Sequence, residues 1–218
     1  NPMPPVFDNL TLTTLKHYAP YVSSQSMREI FENPLKNKTL SEEIISKDPF
    51  FNAQMRTVIT PTIINGGVKS NIIPSDASAT FNVRIHTGDN IESVLDHVRN
   101  VINDSRIDIK TTAEFVGFNP SILPETKHPS FDILEKVVKD VFGRDTPVIP
   151  FLTFATTDSK YFQNIGYGDA VYRLNAVDMN KSESQSIHGY DERIPIDSYE
   201  RYIKFMITFI KESNNLLQ

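Results

Sequence analysis

The clearest pattern in the chain is an alternation of apolar and polar residues that begins near residue 54. Two segments, QMRTVITPTII and SATFNVRIH, are rich in β-branched residues and have a period of two, as half-buried strands do. The intervening NGGVKSNIIPSD contains Gly66, Gly67 and Pro74, which favour turns. The pattern predicts strands near 56–64 and 76–86.

A helical period follows these strands. NIESVLDHVRNVINDS predicts an amphipathic helix near 91–103, with an apolar face made of Ile91, Val94, Leu95, Val98, Val101 and Ile102. IDIKTTAEFVG then predicts a strand near 107–117. Strand, strand, helix and strand make up most of a ferredoxin-like sandwich, which needs one further strand and helix in front. We therefore expect an incomplete ferredoxin-like domain, an antiparallel layer with a helix on one face.

The N-terminal part of the chain predicts short helices. NPMPPVFDNL favours an extended, turn-rich start, and the helices that follow are broken at Pro20 and Pro34. LSEEIISKD predicts another helix, with Ser41 as its N-cap. Glu42 and Glu43 would point about 100° apart on that helix, so we interpret them as a solvated face, not as a metal-and-base pair.

Beyond the proline-rich FNPSILPETKHP the pattern becomes α/β, and we place a domain boundary near residue 119. SFDILEKVVKDVFG predicts a helix ended by Gly143 in the left-handed conformation. TPVIPFLTFATTDSKYF predicts an apolar strand leading to a polar turn and a short helix, and DAVYRLNAV predicts another strand. DSYERYIKFMITFIKES predicts a last helix capped by Asp197 with Glu200. Its predicted buried stripe consists of Tyr199, Tyr202, Ile203, Met206, Phe209 and Ile210.

Composition narrows the functional classes. The 218 residues are 39% hydrophobic and 22% charged, as in ordinary globular proteins. A formal net charge of −5 gives no basic surplus for nucleic acid, and the predicted sheet lacks the paired exposed aromatics of RNA-binding sheets. No apolar run approaches the ~20 residues of a membrane helix. Cysteine is absent, which excludes disulfides, thiolate metal sites and cysteine nucleophiles within the chain.

The chain also contains Asn-x-Ser/Thr sequons, which accept glycans in proteins that enter the secretory route. They lie at Asn9, Asn37, Asn103 and Asn180. The sequons favour a glycoprotein that is secreted or resides in a vacuolar or lysosomal lumen. A chain rich in Asn, Ser and Thr also yields sequons by chance, and a cytoplasmic location remains an alternative.

Three segments, in order along the chain, resemble the motifs of one enzyme family. GGVKSNIIPSDASATFNVRIHTG is similar to a lid-domain signature in which Asn-x-x-Pro precedes a strand ending in Arg, matched by Asn71, Pro74 and Arg84. TTDSKYF is similar to a Thr-Asp-x-Arg/Lys turn, and SIHGYDERIPIDSY to a segment that holds a metal ligand. The family is that of the zinc exopeptidases and amidohydrolases, which include aminoacylase, succinyl-diaminopimelate desuccinylase and carboxypeptidase S. The residues of these segments are most similar to those of the carboxypeptidase S branch and its animal relatives that act on N-fatty-acyl amino acids.

The resemblance implies a two-part α/β (α+β) chain. Residues 1–118 would form the lid or dimerisation domain with a helical insertion at about 6–50, and 119–218 the C-terminal part of an α/β zinc-peptidase catalytic domain. Family members hold two zinc ions, and His188 matches their last ligand while the other ligands and the general-base glutamate have no match. The lid histidine that the partner subunit contributes to the oxyanion has none either. We expect the C-terminal part of an enzyme, inactive alone and without tightly bound zinc.

The resemblance also assigns roles to individual residues. Asn71, Arg84 and Thr157 would bind the substrate's carboxylate, because a guanidinium clamps it bidentately and the other two add neutral donors. His188 would bind zinc, as neutral imidazoles commonly do. The structural alternatives are an edge-strand charge for Arg84, a turn former for Asn71, a helix cap for Thr157 with Asp158, and a surface loop residue for His188. The histidines without ligand spacing are interpreted as structural: His17, His86, His97 and His128.

Together these implications predict part of a zinc-dependent amidohydrolase that cleaves N-acyl amino acids or dipeptides with a free carboxylate. Zinc would activate water and polarise the carbonyl, and a glutamate outside this chain would move the proton. The expected partners are the small-molecule substrate, the missing N-terminal half of the catalytic domain and a second copy bound through the lid. The alternative is a non-catalytic dimerisation or binding module of ferredoxin-like fold, since fold alone does not decide function.

Overall fold

The structure is a computed structural model. It describes residues 1–112, 118–121, 123, 126–153, 157–163, 165 and 170–214. These residues form helices and one small sheet, which confirms the predicted mixed α/β class. None of the helices in these ranges is long and apolar enough to cross a membrane. The chain divides into two compact units: unit 1 is Asn1–Ser121 with Pro150–Ala155, and unit 2 is Ile122–Ile149 with Thr156–Gln218.

Unit 1 begins with short helices and continues with a hairpin and a longer helix. In chain order its elements are α1 (Asn9–Tyr18), a 3-10 turn (Ala19–Tyr21), α2 (Gln25–Glu32), a second 3-10 turn (Pro34–Asn37), α3 (Lys38–Ile45), α4 (Pro49–Gln54), β1 (Val58–Gly66), β2 (Ala77–Arg84) and α5 (Ile91–Ile102). Unit 2 contains α6 (Pro129–Phe142), α7 (Ser159–Phe162), α8 (Lys181–Gln185) and α9 (Ile196–Asn214).

The first four helices pack around one apolar cluster and are capped by polar side chains. The buried members of the cluster are Leu15, Ala19, Phe31, Ile45 and Met55. Ser41 does not cap α3 as predicted: Asn37 does, and Ser41 Oγ donates to the Pro34 carbonyl at 2.8 Å from inside the helix. Glu42 is not a purely solvated residue, because its carboxylate lies 2.9 Å from the guanidinium of buried Arg56.

The predicted hairpin is confirmed. β1 and β2 pair antiparallel from Val58↔Arg84 to Gly66↔Ala77, and α5 forms where the helical period places it, with Asn90 as its N-cap. The strand predicted near 107–117 does not form over 107–112, and the rest of it lies outside the described residues. Ile107 is half-exposed, so this segment has no buried face to stabilise a strand. The sheet in the described part has two strands, and the full ferredoxin-like sandwich remains a prediction.

Two strands predicted in the C-terminal half of the chain are wrong over their described residues. Neither 146–153 nor 170–177 is a strand. Apolar runs favour strands only where a neighbouring strand accepts their backbone hydrogen bonds, and the described sheet provides none for them. Helix α6 is confirmed and ends at Gly143, whose φ of +116° and ψ of +146° differ from the predicted left-handed helical conformation.

Helix α9 is confirmed, but it buries a different face from the predicted one. It begins at Ile196, so Asp197 lies in its first turn and not at the N-cap. Ser198 and Phe205 are buried, and Tyr202 and Phe209 pack beside them against α6. Ser198 Oγ donates to the Asp178 carbonyl at 2.8 Å, which sets the rotation of the helix. The remaining predicted stripe residues are 37–63% exposed: Tyr199, Ile203, Met206 and Ile210.

Gln54 joins two distant parts of unit 1. Its side chain is 1% exposed; Nε2 donates to the Leu152 carbonyl at 2.9 Å, and Oε1 accepts from the Leu152 amide at 2.8 Å. Thr14 Oγ donates to the Pro150 carbonyl at 2.7 Å beside it. The Gln54 carbonyl lies 3.1 Å from Nε2 of fully buried His86. The amide of Gln54 therefore replaces a neighbouring strand for the backbone of residue 152.

Replacing Gln54 with alanine is expected to lower the free energy of unfolding by about 1–3 kcal/mol, because two part-buried backbone groups of Leu152 lose their partners. Urea unfolding of the full-length protein measures the loss, and hydrogen exchange of the Leu152 amide locates it. Gln25→Ala is the matched control, since Gln25 is exposed and contacts Glu29; it should change stability by less than about 0.5 kcal/mol. Equal effects of the two substitutions would contradict the assignment.

Candidate functional site

His188 lies in a tight turn after α8. The Gly189 amide donates to the Ser186 carbonyl at 2.8 Å, which closes the turn. A Cβ at Gly189 would come within 2.9 Å of that carbonyl oxygen, so the turn requires glycine there. The His188 amide donates to Glu192 Oε2 at 3.0 Å. The backbone and the following carboxylate thus hold the turn, and the imidazole is left exposed.

The backbone of His188 is in the left-handed region. Among the residues that the structure describes, Asn103 and His188 are the non-glycine residues with positive φ, at +46° and +64°. This conformation costs an ordinary side chain on the order of 1 kcal/mol, and such residues concentrate at functional sites. A histidine where glycine would be unstrained favours a role for its imidazole over the surface-residue alternative.

The surroundings of His188 do not complete a metal site. Asp191 pairs with Arg193, and Glu192 accepts the His188 amide. Across the ranges described, no group of three or more His, Cys, Asp or Glu side chains is arranged to hold a metal ion. Protein zinc sites use at least three protein ligands. The described residues alone therefore do not fit a zinc ion.

Asn71 and Arg84 lie at opposite ends of the hairpin. Asn71 is an exposed residue of the loop that joins Gly66 to Ala77. Arg84 is the last residue of β2, is exposed and pairs with Val58 at the other end. The first and last of its eight residues are seven steps of about 3.4 Å apart, which gives β2 a length of about 24 Å. One hairpin does not bring the two side chains together.

Thr157 is an exposed residue just before α7. Its Oγ1 accepts the Ser159 amide at 3.3 Å and lies 2.6 Å from Ser159 Oγ. Ser159 Oγ in turn accepts from Arg173 Nε at 2.5 Å. Asp158 occupies the cap position without a side-chain cap bond, so Thr157 caps the helix in its place. Ser159 and Arg173 were not candidates from sequence, although Arg173 interrupts the apolar DAVYRLNAV.

The comparisons with known proteins now add to this geometry. Residues 21–108 match the family model of a peptidase dimerisation domain. The chain is 29% identical over 98% of its length to the human N-fatty-acyl-amino acid synthase/hydrolase PM20D1. It is 31% identical over 87% of its length to the probable carboxypeptidase S-like 2 of Dictyostelium discoideum. The chain belongs to the M20 peptidase family.

This M20 chain lies in the carboxypeptidase S branch, which confirms the resemblance that its three motifs carry. It spans 42% of the human relative's length and 36% of the Dictyostelium relative's. A third relative, the Xenopus tropicalis N-fatty-acyl-amino acid synthase/hydrolase, is 34% identical over 78% of this chain and 32% of its own length. No solved structure matches the chain. The relatives' names are those of hydrolases and peptidases, so a purely non-catalytic module is not favoured.

Proposed function

We propose that this M20 chain is part of a zinc-dependent metallohydrolase that cleaves the amide bond of N-acyl amino acids or dipeptides with a free carboxylate. The observation that carries the proposal is similarity over 98% of the chain to a protein named an N-fatty-acyl-amino acid synthase/hydrolase. Such a substrate has three parts to recognise: a carboxylate, the scissile amide and an acyl group. The residues of this chain can be assigned to the carboxylate and to one metal ligand.

Arg84 is the proposed clamp for the carboxylate. Its position at the end of β2 places an exposed arginine on an ordered strand. A guanidinium offers two parallel N–H donors that match the two oxygens of a carboxylate. Thr157 would add a neutral donor from its hydroxyl, which lies exposed before α7. Each of these donors would favour substrates with a free carboxylate over blocked ones.

Asn71 would act on the substrate held by the partner subunit. About 24 Å of strand separates its loop from Arg84 of the same hairpin, so the two cannot hold one carboxylate from a single copy. The match to a dimerisation domain supports a homodimer, and a twofold axis presents the same surface on both subunits. Two hairpins that meet edge to edge across such an axis run antiparallel, which puts the Asn71 loop of one beside Arg84 of the other.

His188 would supply one ligand to a zinc site that this chain does not complete. The remaining ligands and the general base would come from parts of the full-length protein outside this chain. The exposed imidazole and its left-handed backbone support that role. The same incompleteness means that this chain alone would neither hydrolyse N-acyl amino acids nor retain zinc stoichiometrically after dialysis.

The proposal predicts that the full-length protein hydrolyses N-acyl amino acids and depends on their free carboxylate. Converting the carboxylate to a carboxamide in the same substrate should lower kcat/KM at least about tenfold, because a charged clamp loses its partner. Amine release from the matched pair of substrates measures the effect. Equal rates for the two compounds would contradict recognition of the free carboxylate. If neither compound were hydrolysed, the proposed hydrolase activity would be wrong.

A further inference from the structure

A chain of hydrogen bonds in unit 2 leads from a half-buried cation to an exposed hydroxyl. Arg173 Nε contacts Ser159 Oγ at 2.5 Å, and Ser159 Oγ contacts Thr157 Oγ1 at 2.6 Å. Arg173 and Ser159 are partly covered, whereas Thr157 is exposed. The first two residues lie 14 positions apart and are brought together by the fold. The direction of these hydrogen bonds determines whether the Thr157 hydroxyl can donate to a ligand or accept from it.

The direction of the hydrogen bonds follows from the number of donors in each group. Arg Nε carries one hydrogen and cannot accept, so Ser159 Oγ must be the acceptor. Burial lowers the pKa of the Arg173 guanidinium from its ordinary value, but a guanidinium stays protonated in proteins. A hydroxyl that accepts from a cation becomes a stronger donor. The 2.6 Å contact allows either hydroxyl to donate, and the polarised Ser159 hydroxyl, as the stronger donor, favours donation to Thr157 Oγ1.

The Thr157 hydroxyl is then left with one hydrogen-bonding role, that of a donor. Its oxygen accepts from the Ser159 backbone amide at 3.3 Å, and with the Ser159 hydroxyl as the second donor both acceptor sites of the Thr157 hydroxyl are used. The hydroxyl hydrogen remains and is directed away from these donors, towards solvent. A hydroxyl in this state can donate but cannot accept.

We infer that Arg173 and Ser159 are positioning residues that fix the Thr157 hydroxyl as a donor and so select a ligand that only accepts. The inference rests on the proposed function, in which Thr157 meets the substrate's carboxylate. An ionised carboxylate is acceptor-only, whereas a carboxamide also presents N–H donors. A freely rotating Thr157 hydroxyl would accept from such a donor, and the fixed one does not. Arg173 and Ser159 thus contribute to substrate selection without touching the substrate.

The test is Ser159→Ala in the full-length enzyme. KM for an N-acyl amino acid should rise about threefold to tenfold with kcat unchanged, and the preference for carboxylate over carboxamide should fall by a similar factor. Arg173→Gln should give the same two changes, and Arg173→Lys, which keeps a cationic donor, should restore part of the preference. Ser184→Ala, at an exposed position of α8, is the matched control and should change neither. Thermal unfolding of each variant separates misfolding from the specific effect.

The double variant shows whether the residues act through one another. Thr157→Val with Ser159→Ala should be no worse than Thr157→Val alone, because the serine has nothing left to position. If Thr157→Val raises KM while Ser159→Ala leaves both KM and the preference unchanged, the positioning role is overturned and the proposed function stands. If Thr157→Val leaves KM and the preference unchanged, Thr157 does not bind the carboxylate. Its proposed role in substrate binding and its positioning by Ser159 and Arg173 are then both wrong.

Discussion

Replacing His188 with alanine in the full-length enzyme is expected to lower kcat at least about a thousandfold, on the order of 4 kcal/mol of transition-state stabilisation. The reason is the proposed loss of a metal ligand, so each subunit should also lose one metal ion. Substrate binding should change much less, because the proposed carboxylate clamp lies on other residues. Steady-state kinetics and elemental analysis of the dialysed protein measure the three quantities together.

Two further variants distinguish the effect of losing the His188 imidazole from the effect of its left-handed backbone. His188→Gly relaxes the left-handed conformation, since glycine adopts positive φ without strain. It should therefore melt at a temperature at least as high as that of His188→Ala, which lacks the same proposed ligand, while both variants lose the metal and the activity. His17→Ala removes another exposed histidine and should leave kcat and metal content intact. A His188→Gly enzyme with both metals and normal kcat would show that the metal site is elsewhere.

Mixing two dimers with impaired substrate binding is expected to restore part of the activity if Asn71 acts on the partner subunit's substrate. Arg84→Ala should raise KM by on the order of 2–4 kcal/mol of lost binding, without loss of metal, and Asn71→Ala should weaken the same site. In a mixed dimer one site carries both substitutions and the other carries neither. Random exchange of subunits makes half of the dimers mixed, so about a quarter of all sites become intact.

The control for this experiment is the double variant. Arg84→Ala with Asn71→Ala on one chain, mixed with wild type, leaves each site of the mixed dimer with a single defect. Activity should then fall as mixed dimers form. Size-exclusion chromatography with differently tagged subunits verifies the exchange. If verified mixed dimers of the two single variants show no recovery, Asn71 and Arg84 serve the same subunit and the hairpin geometry must change on substrate binding.

The sequence predicts those elements that are determined by residues close to one another in the chain. The hairpin, α5, α6 and α9 follow from periodicity and turn residues within a few positions of each other. The strands predicted at 146–153 and 170–177 fail because a strand depends on a neighbour that periodicity does not specify. Helix α9 shows a related limit. Its apolar residues cover more than one face, and the contact of Ser198 with the Asp178 carbonyl selects which of them is buried.

For the candidate site too, the sequence predicts the residues of each motif but not their arrangement in space. Asn71, Arg84, Thr157 and His188 were identified by motif resemblance, because the short spacings within each motif are visible in sequence. Their arrangement was not visible: nothing local shows that a full strand separates Asn71 from Arg84. Ser159 and Arg173 were missed because their contact joins two loop segments. The left-handed backbone of His188 was also missed, although the following glycine indicates a turn.

The pairing of Gln54 with Leu152 has a consequence for anyone who wishes to isolate the dimerisation part of this protein. Residues 150–155 belong to unit 1 although they follow α6 in the chain. A fragment that stops at residue 121 would expose the buried amide of Gln54 and the hydroxyl of Thr14 to a vacant groove. A version that keeps unit 1 whole therefore needs a linker that joins residue 121 to residue 150 in place of residues 122–149.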